Sequence, residues 1–553
     1  MTASLRPIRT GRLSSQVLIA VSGIALVVVI LAYFARTAVV AEVPDYGGAY
    51  VEGLAGFPQA LNPVLANDEA SLAVNALVFC GLTRFDEQGK TVPDLAESWE
   101  VSPDGKTYTF KLRPNARWHD GAPVVADDVL YTVKIIQDPQ YSGPLGQQWK
   151  DVSAEKVDDT TVKLTLEKGS YAPFIEYTTV GLLPSHLLGG IGAQDLPSHR
   201  FSVQPVGTGP YLVKDVRPDR IEVDAAPTYY GTRPHLSRIL FRVYPNNKTI
   251  LTALERDEVE GVPMVEPEDA ARLAKEKEVT VYTAPQASTT FLFFNLSNPL
   301  LADRTVRQAI AFAVDRQKLI DVAREGRAKP ADGPVLPGSW AYNGDVKKYA
   351  YNPEQARAML DAAGWKQEAE GAARRKDGRP LRFVLLTNDR RERVRLAEVL
   401  QQQLGQVGIE VEVQATGTGG LVQDFLLPRR YEMALYSWDQ QGFDPDPYAL
   451  WHSTQQAPNG LNVAGFANRR ADDLMERARR AVDQNERARQ YAEFQSLFAD
   501  EVPSLPLYYP TYDFAVSGKI KGVKPGVIAT PADRFRNVVD WYARTKREVV
   551  SRG

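Results

Sequence analysis

The apolar run from Val17 to Phe34 constrains this 553-residue chain more than any other feature of its sequence. About 20 apolar residues span the roughly 30 Å hydrocarbon core of a bilayer, so a run of this length lies at the spanning limit. Three arginines and no acidic residue precede it. This charge distribution favours a cytoplasmic N-terminus and export of everything that follows the run.

Two fates of this segment remain open. A signal peptide would be cleaved at a small-residue site such as Val39-Val40-Ala41, whereas an uncleaved segment would remain as a transmembrane helix. We expect the uncleaved anchor, with an acidic, glycine-containing linker from Glu42 to Gly48 and an N-terminal unit of residues 1–45. Lipid attachment is excluded because the only cysteine, Cys80, lies far downstream, where a small buried apolar residue is expected.

Composition indicates that the remaining body is a large globular unit held together by its own core. One cysteine cannot form an internal disulfide, and roughly 500 residues suffice for two or three domains. The formal charge is −3, from 65 basic and 68 acidic residues; setting aside the four arginines up to Arg36 leaves 61 against 68, or −7. A mildly acidic, evenly mixed surface argues against nucleic acid, whose phosphates require clustered positive charge.

The sequence contains none of the motifs that would indicate catalysis. A phosphate-binding loop, a G-x-S-x-G elbow and an H-E-x-x-H pair are all missing from the chain. The five histidines occur singly, without the spacing of metal ligands. We therefore predict a protein that is not an enzyme, with no catalytic residue, metal or cofactor.

Alternating patterns of strands and helices predict an α/β body. Helices that end at a glycine and lead into a strand are typical of the crossover connections that build parallel sheets. The predicted strands are Thr107 to Arg113, Thr161 to Leu166, Phe291 to Asn295 and Gly408 to Val413; the predicted helices are Pro123 to Lys134, Arg304 to Phe312, a helix from Pro353 capped by Asn352, and Arg393 to Leu404. Residues 417–420 are expected to form a flexible turn.

Several long motifs carry a family resemblance. Leu61-Asn62-Pro63, Val92 to Trp99 and the stretch from Ser102 to Lys134 (SPDGKTYTFKLRPNARWHDGAPVVADDVLYTVK) occur in order, followed by Pro205 to Tyr211. With these motifs the chain resembles the family 5 extracellular solute-binding proteins, the dipeptide- and oligopeptide-binding receptors of ABC importers. The resemblance extends from Gly48 to about Trp541.

That resemblance implies a two-lobed periplasmic-binding-protein type II fold with an extra inserted domain, preceded here by the N-terminal transmembrane helix. The first lobe would comprise residues 46–84, 205–285 and 513–545, the inserted domain 85–204 and the second lobe 286–512. Chain crossings near residues 287–290 and 507–512 would form a hinge, about which the lobes close over a ligand.

The resemblance also implies where the ligand lies. Asn67, Asp68 and Glu69 correspond to an edge that pairs with the backbone of an extended ligand. A second ligand-lining segment contains Trp438, Asp439, Gln441 and Asp444. At the predicted hinge, the hydroxyls of Tyr508, Tyr509 and Tyr512 are candidates to face the ligand, with structural packing as the equal alternative.

Gln441 departs from the pattern of the peptide-binding members. In those members an aspartate three residues after the tryptophan that corresponds to Trp438 holds the free amine of the peptide. The present chain has a glutamine at this position, which accepts a hydrogen bond but cannot neutralise an ammonium. We infer that a free α-amine is not the main anchor at this residue, unless Asp439 or Asp444 takes over. Oligosaccharides and nickel complexes are alternatives to a peptide.

The leading hypothesis is a monomeric receptor outside the cytoplasm, in the periplasm or at the cell surface, that captures a small solute and delivers it to an ABC permease. A ligand sensor on the same scaffold is the second hypothesis. Signalling would favour a long cytoplasmic domain, whereas only about 16 residues precede the apolar run, and this weakens the sensor hypothesis. A hydrolase is the third and would require a nucleophile and base at unrecognised positions.

Overall fold

The structure, a computed structural model, describes residues 15–369, 371–440, 442–458 and 460–551. The strands are β1 Ala38–Asp45, β2 Ala49–Ala55, β3 Thr83–Phe85, β4 Thr91–Pro93, β5 Ala96–Val101, β6 Thr107–Leu112, β7 Val152–Asp158, β8 Thr161–Leu166, β9 Tyr211–Arg217, β10 Arg220–Ala225, β11 Arg238–Tyr244, β12 Gly261–Val262, β13 Val279–Pro285, β14 Ser288–Phe294, β15 Ala328–Pro330, β16 Arg375–Lys376, β17 Arg379–Pro380, β18 Arg382–Asn388, β19 Glu410–Thr416, β20 Met433–Asp439, β21 Ser504–Ser517 and β22 Arg544–Ser551. The helices are α1 Ser15–Thr37, α2 Glu69–Val78, α3 Ala126–Gln137, α4 Gly146–Trp149, α5 Phe174–Tyr177, α6 Ser185–Leu188, α7 Asn247–Glu255, α8 Pro267–Leu273, α9 Pro299–Ala302, α10 Arg304–Ala313, α11 Arg316–Arg324, α12 Pro353–Ala362, α13 Arg391–Gly405, α14 Thr418–Gly420, α15 Tyr448–Trp451, α16 Arg469–Arg480 and α17 Gln484–Glu501.

One mixed sheet organises the body. Ten of its twelve strands follow the order β19-β18-β20-β14-β21-β12-β2-β11-β10-β9, and β13 and β15 also pair with β21. Parallel pairing joins β2 to β11 and β18 to β19, as the helix and strand alternation predicts, whereas β9, β10 and β11 pair antiparallel. The α/β class predicted from the sequence is confirmed.

Strand β21 belongs to both halves of this sheet. Its first residues, 504–508, pair with β14, and residues 511–517 pair with β13. The chain crosses a second time between the end of β13 at Pro285 and the start of β14 at Ser288. Both crossings lie where the resemblance places the hinge, and the lobe limits themselves remain a prediction.

A smaller antiparallel sheet, in the order β5-β6-β8-β7, occupies the segment predicted as an insertion. Phe110 and Leu164 from this sheet belong to the same hydrophobic cluster as Tyr50 and Phe241 from the main sheet. The strands β14, β18 and β20 pack against helices in a separate cluster that includes Leu292 and Ile310. The inserted segment therefore shares its core with the first half of the main sheet, because its apolar face packs onto that half.

The structure corrects three local predictions. Most of the predicted linker, Glu42 to Gly48, is strand, because β1 pairs along its full length with β22, some 500 residues away. Helix α3 begins at Ala126 instead of Pro123, because the side chain of Asp128 accepts a hydrogen bond from the Val125 amide at 2.9 Å and fixes the first turn there. Residues 417–420 enter the short helix α14 instead of a flexible turn.

Helix α1 covers the apolar run of the N-terminal segment. Its described side chains are exposed, with Leu18 at 65% and Ile24 at 66% of full accessibility. Within the part of the chain that the structure describes, no helix meets the length and apolarity needed to cross a membrane.

Candidate functional site

A cavity of about 950 Å³ opens between the inserted segment, helix α2, the loop after β20 and the chain near the C-terminus. This volume is at the upper end of the range typical of small-molecule sites. Charged and aromatic side chains line it together, including Arg84, Arg113, Glu176, Tyr230 and Phe443. The cavity is thus suited to a ligand that carries charge as well as apolar surface.

Two buried polar groups in the cavity wall have no hydrogen-bond partner among the described residues. They are the side-chain amide of Asn75, on α2, and the indole Nε1 of Trp149. Asn75 is 7% exposed and Trp149 is 2% exposed. A buried polar group without a partner costs about 1–3 kcal/mol, so these groups favour a ligand that supplies the missing hydrogen bonds.

The loop that follows β20 is held in place by two ion pairs with helices α16 and α17. Arg487 binds both carboxylate oxygens of Asp444, at 2.7 and 2.8 Å, and these side chains are only 7% and 10% exposed. Arg479 contacts Asp446 at 2.8 Å, with its guanidinium 3.9 Å from the ring centre of Tyr448. Bidentate pairing of this kind fixes both position and orientation, so the loop presents a defined surface to the cavity.

Phe443 extends from this loop across the gap to the inserted segment. Its ring meets Phe85 edge-on, with 4.7 Å between ring centres, and the guanidinium of Arg536 lies 5.0 Å from its ring centre. The Arg479 carbonyl also accepts a hydrogen bond from the Ala172 amide at 2.8 Å. These contacts join residues on both sides of the predicted hinge, as in a closed arrangement.

Glu176, on α5, is an acidic group of the inserted segment that contacts the loop. Its Oε2 accepts a hydrogen bond from the amide of Phe443 at 3.1 Å. A Cβ at Gly442 would lie 2.2 Å from that oxygen, so the neighbouring position leaves room for the carboxyl only because it has no side chain. Burial, reinforced by the negative charge of Asp444, raises the pKa of Glu176 to about 8.

Asp94 is a second acidic group in the cavity wall with an altered pKa. Its Oδ1 accepts a hydrogen bond from the Tyr230 hydroxyl at 2.5 Å, and its backbone carbonyl accepts one from Arg113 Nε at 2.6 Å. Burial raises the pKa of Asp94 to about 6, although the Tyr230 hydrogen bond and the charge of Arg84 oppose the increase. Asp94 therefore fixes the aromatic and basic side chains of this wall.

The predicted site residues at the start of the chain lie around the beginning of α2. Asn67 and Glu69 are exposed. Asp68 caps the helix, since its carboxylate accepts hydrogen bonds from the amide of Ser71 at 2.9 Å and from that residue's hydroxyl. This capping accounts for Asp68 without a ligand.

The predicted residues after β20 lie in different surroundings. Trp438 is half-buried beside Tyr436, and Asp439 is exposed at the end of the strand. Asp444 is engaged by Arg487, as described above. Gln441 lies outside the described residues.

The three predicted tyrosines of β21 are buried, and each hydroxyl contacts protein atoms. Tyr508 donates to Glu392 at 3.3 Å and accepts from Arg393, Tyr509 donates to the carbonyl of Gly333 at 2.8 Å, and Tyr512 donates to that of Pro263. These contacts are those expected if the three tyrosines serve structural packing, the alternative to a ligand-facing role. A role in ligand binding remains a prediction for all ten residues, and none of the nine described ones is among those that line the cavity.

Sequence reasoning missed Asn75, Trp149 and Glu176. Asn75 lies in a helix whose pattern resembles that of any amphipathic segment, and Glu176 follows Pro173 and Phe174 without a motif around it. Phe443 belongs to the segment predicted to line the cleft, and no local signal in the sequence distinguishes it from its neighbours. Only the pairing of segments 267 residues apart brings Glu176 and Phe443 together.

Comparisons with known proteins agree with this architecture. The profile of the bacterial extracellular solute-binding proteins, family 5 Middle, matches residues 90–460. The oligopeptide-binding protein AppA of Bacillus subtilis is 31% identical over 511 residues, covering 90% of this chain and 92% of that protein. The dipeptide-binding protein of Escherichia coli is 28% identical over 493 residues, covering 84% and 90% of the two chains.

Solved structures show the same fold. The structure of the Bacillus subtilis AppA protein in complex with a nonapeptide matches with a TM-score of 0.69 and 28% identity, covering 90% of this chain and 99% of that one. NikZ from Campylobacter jejuni in complex with Ni(L-His) matches with a TM-score of 0.72 and 26% identity, covering 89% and 99%. The described part of the chain thus has the fold of periplasmic binding proteins.

Proposed function

The chain belongs to the family 5 extracellular solute-binding proteins, and we propose that it binds a peptide-like solute between its lobes and delivers it to an ABC importer. One observation carries the proposal, namely that Asn75 lines the 950 Å³ cavity and its side-chain amide has no hydrogen-bond partner among the described residues. A side-chain amide both donates and accepts, which matches the pairing needs of a peptide main chain. Binding relies on closure about the hinge and requires no covalent chemistry.

The proposal is tested by ligand-induced thermal stabilisation of the purified body. We expect a mixed library of free-amine tripeptides to pentapeptides to raise the melting temperature, because ligands that bind only the folded state stabilise it. Mixed oligosaccharides and the nickel–histidine complex form the other arms. If only the oligosaccharides or only the nickel–histidine complex raise the melting temperature, the ligand belongs to that class and the peptide proposal is wrong.

A substitution at Asn75 sharpens the same test. Replacing Asn75 by Leu keeps the side-chain size and removes the unpartnered amide, so the ligand-free protein should be as stable as wild type or slightly more stable. Affinity for the peptide library should fall about 5- to 10-fold, the effect of about one lost hydrogen bond. Unchanged affinity would show that peptides do not use this amide.

We further propose that α1 directs export and remains attached to the body as an anchor. The exposed apolar side chains of α1 support this role, and so does β1, whose residues 38–41 make half of its eight register pairs with β22. Cleavage after Ala41 would remove those pairs. We expect full-length protein in the membrane fraction of a producing bacterium, identified by N-terminal sequencing; a mature form that begins after Ala41 would contradict the anchor.

A further inference from the structure

We propose that Glu176 binds an ammonium group of the ligand, so that the inserted segment supplies the negatively charged group of the cavity. This inference rests on the proposed function and identifies a feature of its ligand. Glu176 lines the cavity, and its carboxylate accepts hydrogen bonds from two backbone amides of the loop, that of Phe443 to Oε2 at 3.1 Å and that of Asp444. Neither donor is a cation, and a carboxylate has about four acceptor positions, so it can still accept a hydrogen bond from an ammonium of the ligand.

The charges around Glu176 are unbalanced. The groups that face it are Asp444 and the guanidinium of Arg487, with the Tyr177 hydroxyl on its own helix. Arg487 is already paired with Asp444 through two contacts, so it does not serve as the counter-charge of Glu176. An ionised Glu176 therefore has no cation of its own within the described residues. An ammonium that enters the cavity restores the balance and donates to a carboxylate, the stronger class of hydrogen bond.

Two ligand groups carry this chemistry, the α-amine of a peptide and the side-chain ammonium of a lysine. Peptide libraries separate them. We would compare a free-amine library, its N-acetylated form without lysine, and an N-acetylated library that contains lysine. Binding of the first alone assigns the site to the α-amine, and binding of the third assigns it to lysine.

The pH dependence of binding gives a second signature. With a pKa near 8, Glu176 is largely protonated at neutral pH, and binding of a cation requires loss of that proton. A peptide library bearing a fixed N-trimethylated charge cannot donate a hydrogen bond and so reports the charge attraction alone. Its affinity should rise about tenfold per pH unit toward pH 8 and then level off. Asp94, which also lines the cavity, titrates near pH 6, so the diagnostic range is pH 6.5 to 8.

The deciding variant is Glu176→Gln, which keeps an acceptor for the Phe443 amide and removes the charge. We expect it to bind the free-amine library about 10- to 100-fold more weakly and to lose the pH dependence above pH 6.5, as measured by isothermal titration calorimetry. Glu167→Gln is the matched control, because Glu167 is an exposed carboxylate of the same inserted segment and does not line the cavity. It should bind as wild type does.

The outcomes separate the two proposals. If wild type binds the free-amine library and the N-acetylated library without lysine equally, or if Glu176→Gln retains wild-type affinity and pH dependence, the assignment of Glu176 is overturned while peptide binding stands. If no peptide library binds wild type, the proposed function fails and the assignment fails with it.

Discussion

Replacing Arg534 by Met is expected to lower the free energy of unfolding by about 3–5 kcal/mol, because it leaves a buried carboxylate without its counter-charge. Arg534 contacts Glu52 through Nε at 2.8 Å and Nη2 at 2.7 Å, and both side chains are 1% exposed. The Tyr50 hydroxyl donates to the other oxygen of Glu52. The pair joins β2, at the centre of the main sheet, to the C-terminal turn that contributes to the cavity wall.

Urea denaturation followed by circular dichroism measures this effect through the loss of stability. The double variant Glu52→Gln with Arg534→Met should recover part of the loss, since it leaves no uncompensated charge. Arg238→Met is the comparison, because Arg238 is 44% exposed and pairs with Glu222 and Asp224 at the surface, where ion pairs contribute about 0–1 kcal/mol. A cost for Arg534→Met no larger than that of Arg238→Met would show that the buried pair is not needed for stability.

The sequence predicts elements whose signals are local. Strands β6 and β8 alternate polar and apolar residues between turn signals, and their bounds differ from the prediction by at most one residue. Asn352 caps α12, as predicted, because its side chain accepts from the Gln355 amide at 2.9 Å. In each case the residues that determine the element lie within one or two turns of each other.

Features that depend on distant pairing were not predictable. Strand β1 exists because of β22, at the other end of the chain, and neither segment is marked as a strand by its own pattern. The same limit applies to the site. A glutamate after a proline and a phenylalanine has no distinctive pattern, and its role arises only when the fold places the loop after β20 beside it. Gln441 led to the prediction that a free α-amine is not the main anchor at that position, and no signal in the sequence pointed to Glu176.

Replacing Asp444 by Ala is expected to lower the free energy of unfolding by about 3–5 kcal/mol, because Arg487 would then be a buried cation without its partner. Arg487 also donates to the Ala478 carbonyl at 2.9 Å and lies 4.9 Å from the ring centre of Trp340, so it cannot move readily into solvent. The loop that presents Phe443 would lose its main restraint. Affinity for free-amine peptides should therefore fall at least about tenfold.

The matched control is Asp473→Ala, because Asp473 is an exposed carboxylate on α16, the helix that carries Arg479, and it is not part of the two ion pairs. It should change the free energy of unfolding by no more than about 0.5 kcal/mol. The double variant Asp444→Ala with Arg487→Met removes both charges and should regain part of the lost stability. Equal stability of Asp444→Ala and wild type would contradict a restraining role for this pair.

Asp444→Ala also tests the electrostatic coupling between the loop and Glu176. The negative charge of Asp444 helps to raise the pKa of Glu176, so its removal should lower that pKa and move the rise in cation affinity to lower pH. Calorimetric titration of the N-trimethylated library between pH 6.5 and 8 measures the shift. A lower midpoint with weaker overall binding would separate the two functions of Asp444, since the carboxylate positions the loop through Arg487 and sets the protonation of Glu176 through its charge. A midpoint that stays in place would show that burial alone raises the pKa of Glu176.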